Sequence, residues 1–79
     1  MDWREYIHSD PDVMVGKPVI KGTRLTVEYI IGLFANGWTQ EQIIENYPNL
    51  TPTSLKALFA FVAECIHEDD YHFLPTRSG

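Results

Sequence analysis

Seventy-nine residues carry eleven carboxylates against six lysines and arginines, a formal charge of −5, which argues against a generic nucleic-acid binder. A chain this short makes one domain that buries only about 60% of its unfolded surface, and such a core rarely supplies more than about 3–5 kcal/mol. The single cysteine, Cys65, excludes an intrachain disulfide and a multi-cysteine zinc site, which leaves a partner chain as the remaining stabiliser.

In chain order, Tyr6-Ile7-His8 has the composition of a short strand, and Asp10-Pro11-Asp12 of a turn, since the residue before proline is pushed out of the helical region. Gly16 ends the apolar run Val13-Met14-Val15. Pro18 cannot donate to a ladder and suits the first residue of a strand. Lys21-Gly22-Thr23 then predicts a turn in which Gly22 takes positive φ, and Arg24-Leu25 the returning strand. The expected hairpin falls within about residues 13–26.

Thr26 is placed to cap a first helix over 27–36, with Val27, Ile30, Ile31 and Phe34 on one face. Gly37 supplies a left-handed C-terminal cap, and Trp38 stands where a hydrophobic staple would. Thr39 and Gln42 form a capping box for a second helix over 40–47, stopped by Pro48. Thr51 caps a third helix over 52–66, with Pro52 at its first position. Ten of twelve residues from Leu55 to Ile66 are apolar. A helix apolar all round must be covered all round, so one face, including Phe61, is expected against a second copy or another protein. Residues 1–66 are therefore expected as a single domain and a homodimer, with 67–79 an acidic tail.

The Gly16-Lys17-Pro18-x-Ile20-x-Gly22-Thr23-Arg24 core follows Ser9-Asp10-Pro11 and precedes Gly37-x-Thr39-x-Glu41 and Tyr47-Pro48-x-Leu50-Thr51. Over about residues 7–63 this pattern resembles the small prokaryotic domain-of-unknown-function family 433. The resemblance implies a homeodomain-like helix-turn-helix protein, an antitoxin partner of a PIN-like ribonuclease. The expected fold is mainly α, a three-helix helix-turn-helix bundle preceded by a short β-hairpin.

Lys17, Lys21 and Arg24 are candidate phosphate contacts, or alternatively a charged edge that blocks strand pairing. The spacing of the last two helices puts Thr53, Ser54 and Lys56 where a recognition helix meets base edges. Gly16-Lys17 is no phosphate loop, because Pro18 follows the lysine. In the tail, Phe73, Leu74 and Arg77 are candidate partner contacts. There the arginine would lie on the clustered carboxylates with which the implied ribonuclease holds its metal. His67 and His72 are five apart, the wrong spacing for ligands on one helix face, so no metal and no cofactor are expected. Cys65 lies mid-helix among apolar neighbours, and no glycine-rich nucleophile turn occurs; no enzyme is expected. Neither a membrane span nor a signal peptide is visible, and the expectation is a cytoplasmic protein. An assembly domain with no nucleic-acid role is the competing function.

Overall fold

The computed structural model describes residues 1–69, of which Glu68 and Asp69 are described by backbone alone. A 3-10 turn at Trp3–Glu5 opens the chain, capped by the Asp2 carboxylate, which accepts from the Arg4 N–H at 3.0 Å. Strand β1 (Ile7–His8) pairs antiparallel with β2 (Val19–Ile20), Ile7 opposite Ile20 and His8 opposite Val19. Helices α1 (Val27–Ala35), α2 (Gln40–Asn46) and α3 (Pro52–Asp69) follow. The molecule is a small helical bundle preceded by a two-stranded antiparallel hairpin, as the sequence predicts.

The strand partners differ from those expected. The turn at Lys21-Gly22-Thr23 is present, with Gly22 at φ +83°, the Thr23 N–H donating to Ile20 O at 3.1 Å and the Ile20 N–H to Leu25 O at 3.1 Å. The return is nevertheless only a single bridge, Val19 to Thr26, and Arg24-Leu25 is not a strand. The Thr23 hydroxyl donates to Ile20 O at 2.8 Å and accepts from the Leu25 N–H at 3.0 Å, so it takes over a backbone donor that a ladder would use. Ile7–His8 supplies the longer pairing, from the chain segment ahead of the Asp10-Pro11-Asp12 turn.

Helix boundaries follow the local caps. Thr26 Oγ1 accepts from the Tyr29 N–H at 3.0 Å, and Gly37 stands at φ +93° behind α1. Thr39 and Gln42 close their capping box in both directions, at 3.1 and 2.8 Å. Helix α3 runs three residues past the expected end at 66. Once nucleated, a helix adds one hydrogen bond for each residue fixed, which carries it past 66 although Glu68 and Asp69 oppose the dipole there.

The core is one cluster drawn from every layer. Ile7 and Ile20 come from the strands, Val27, Ile30 and Leu33 from α1, Ile43 from α2, Leu50 from the loop before α3, and Leu55 and Leu58 from α3. Full burial of each such side chain is worth about 1.5–3 kcal/mol. Trp3, Tyr6, Trp38, Phe61 and Val62 close over the cluster from outside.

Candidate binding surfaces

Three surfaces emerge, and they divide the residues singled out in the sequence. The first carries cations. Lys17 Nζ lies 3.2 Å from Glu28 Oε1, an exposed pair worth about 0–1 kcal/mol. Among the described residues Lys21 and Arg24 make no ion pair. Lys17 and Arg24 line one groove together with Met14, Leu25, Thr26 and Tyr29. Lys21 stands in the neighbouring turn. Arg24 also borders a second concavity with Tyr47, Pro48 and Asn49. There the Tyr29 and Tyr47 hydroxyls are 2.6 Å apart and their rings meet edge to face, centroids 6.1 Å apart. The hydrogen bond to Tyr29 holds the Tyr47 phenol above its ordinary 10.0, with desolvation and the Tyr29 charge acting in the same direction.

The second surface is the start of α3. Thr53 and Lys56 are exposed there, but Ser54 must be withdrawn from any contact set. It is only 5% exposed, and its hydroxyl is committed to the helix cap. That hydroxyl accepts from the Thr51 N–H at 2.8 Å and donates to Thr51 O at 2.9 Å, while Thr51 Oγ1 accepts from the Ser54 N–H at 3.1 Å. A serine three residues after the cap completes the box in place of the usual Glu or Gln.

The third surface is the far half of α3, where the apolar excess does leave an uncovered face, though not at Phe61. Trp3 packs edge to face on Phe61, with centroids 4.7 Å apart. Its indole N–H donates to Glu64 Oε2 at 3.2 Å, and Arg4 Nη2 lies 3.3 Å from the same oxygen. The opening turn of the chain thus covers the face that was expected to meet a partner. Among the described residues, the large apolar side chains of α3 left exposed are Phe59, at 47%, and Ile66, at 52%, with exposed Ala63 between them. Spacings of four, three and seven align them in one stripe. Phe59 also leans on Phe34 of α1, centroids 5.1 Å apart. The expected contacts Phe73, Leu74 and Arg77, like His72, lie outside the described residues.

Sequence reading missed Trp3, Arg4 and Glu64 as a clasp. An aromatic-basic pair near the start and a lone acid in an apolar helix were the available signals. It also missed the Tyr29–Tyr47 pair, for which no local pattern exists.

Comparison with known proteins fits this architecture. A crystal structure of a DUF433 member from Anabaena variabilis superposes with a TM-score of 0.72 at 26% identity, covering 84% of this chain and 65% of that one. An uncharacterized protein, y4eO, of Sinorhizobium fredii is 34% identical over 53 residues, which span 67% of this chain but only 24% of that relative. The chain therefore matches under two thirds of either relative's length. The profile of the protein family of unknown function DUF433 matches residues 7–62, and on that match, over more than half its length, the chain belongs to the DUF433 family.

Proposed function

We propose that this chain is an antitoxin-like regulatory protein of the cytoplasm that binds and neutralises a PIN-like ribonuclease. The observation that carries the reading is the stripe Phe59-Ala63-Ile66, left exposed among the described residues, on a helix whose Leu55, Leu58 and Phe61 pack inward. Exposed aromatic and branched side chains in one row are what a helix-in-groove contact uses. Operator binding is the secondary part of the reading, with α2 and α3 as a helix-turn-helix. Its contacts would be Lys21, Arg24, Thr53 and Lys56, with Lys17 once released from Glu28.

An assembly domain with no nucleic-acid role is the second reading, and the burial of Ser54 favours it. The first turns of α3 then offer only one cation and one hydroxyl to base edges.

The deciding experiment is co-expression with a PIN-like ribonuclease encoded beside this reading frame, scored by growth and by cleavage of cellular RNA. Phe59→Asp and Ile66→Asp should each release the nuclease while leaving the circular dichroism of the chain unchanged. Inhibition that survives both substitutions rules out α3 as the inhibitory surface.

A further inference from the structure

The most unusual backbone among the described residues is the turn Met14–Gly16. Three successive residues sit in the left-handed region, at φ +50°, +58° and +79°. Glycine adopts such angles freely, whereas a β-branched valine there is an outlier. Val15 is also 93% exposed and Met14 43%, so strained backbone holds two apolar side chains out to water. Strain of this kind gathers at ligand clamps. Met14 of this turn lines a groove together with Lys17, Arg24, Leu25, Thr26 and Tyr29, and Val15 is its neighbour in the chain. Apolar groups thus lie beside two cations, of which one has no ion pair among the described residues and the other has only an exposed one. The chemistry that fits is an acidic segment running into aromatic or branched side chains.

This chain carries one such segment, Asp69-Asp70-Tyr71-His72-Phe73-Leu74. We propose that the segment from one copy docks in this groove of a second copy, with Asp69 and Asp70 against Lys17 and Arg24, and Phe73 and Leu74 against Met14, Val15 and Leu25. Reach excludes the copy's own groove. Arg24 borders Tyr47, Pro48 and Asn49, just before the start of α3. The tail departs from the other end of that 18-residue helix, about 27 Å away. The five residues after Asp69 extend at most about 18 Å. In a pair of chains the exchange is reciprocal and closes as a two-fold dimer. The inference does not depend on the ribonuclease reading, since it uses neither Phe59 nor Ile66.

Sedimentation equilibrium of the full chain tests it. The chain should dimerise in the micromolar range. Arg24→Glu and Asp70→Arg should each weaken the dimer by about tenfold or more, and the two together should recover most of the loss. Phe73→Ser with Leu74→Ser should weaken it without touching helicity. Val15→Gly should weaken it while raising the melting temperature, because strain is relieved and an apolar edge removed. A monomer at every concentration overturns the proposal, as does a dimer indifferent to Arg24, Phe73 and Leu74. If a single-stranded oligonucleotide binds through Arg24 while the chain stays monomeric, the groove belongs to nucleic acid and the proposal fails.

Discussion

Val15 and Tyr47 show how much single positions decide. A valine at φ +58° carries a cost of about 1–2 kcal/mol over ordinary backbone. Turn hydrogen bonds to Val13 O at 3.1 Å and to Met14 O at 3.2 Å hold it there. Tyr47 is perturbed by a neighbour, since its neutral form shares a hydrogen bond with Tyr29. Its contribution to stability is complete below the unfolded value of about 10 and is lost as pH rises through the raised folded value, because only the unfolded chain has then released the proton. In an absorbance titration, one of the four tyrosines should therefore ionise above the ordinary range. Tyr29→Phe should bring it back and remove the extra alkaline destabilisation. A titration unchanged in that variant would show that the hydroxyl pair is not the cause.

Helix α3 is held differently along its length. Its first turns are locked by the Thr51–Ser54 box and by the fully buried Leu55 and Leu58. Its middle is clamped by the opening turn of the chain, through Trp3 on Phe61 and through Glu64, which receives both the indole N–H and the Arg4 guanidinium. Arg4 in turn lies over the Trp3 ring at 4.4 Å, a stacked cation worth about 0.5–1 kcal/mol at an exposed site. The aromatic contact is the larger contribution, because it shields a half-buried phenyl ring from water. Phe61→Ala should therefore cost about 3 kcal/mol, read as a lowered urea midpoint, and should free the opening turn. Phe59→Ala, on the uncovered face, should cost about 1 kcal/mol or less. Equal costs would mean that the two faces are covered alike. Part of the apolar excess of α3, Phe61, thus meets the chain's own opening turn. The sequence shows that excess plainly but not its direction, since Trp3 and Phe61 are 58 positions apart.

At the scale of the whole molecule, a charge of −5 repels nucleic acid except where cations stand clear of carboxylates. Among the described residues Lys21 and Arg24 are such places. Operator binding should accordingly be weak. If both residues neutralise phosphates, log K should fall with log salt at a slope of about −1.8, and Arg24→Ala should flatten that slope by about 0.9. A fluorescence-anisotropy series over salt measures it, and a slope indifferent to Arg24 would remove the groove from operator contact. The tail docking proposed above would compete with nucleic acid for the same guanidinium, so dimerisation and operator binding would be antagonistic.

The sequence alone determined the features that arise within a few residues. The caps at Thr26, Thr39 and Thr51, the stop at Pro48, and the turns at Gly22 and Gly37 were all readable. Each rests on a hydrogen bond or a φ preference that near neighbours set. The helices followed, because an apolar period of 3.6 needs no distant partner to be seen. Tertiary structure alone decided which strand pairs with Val19–Ile20, which side of α3 is covered, and that Ser54 faces inward. It also decided that Tyr29 meets Tyr47 and that Lys17 and Arg24 share a groove under a strained turn. Those outcomes depend on which apolar surfaces bury each other best. Burial is non-directional, so the sequence shows that such surfaces exist, and only the packed fold decides where each one goes.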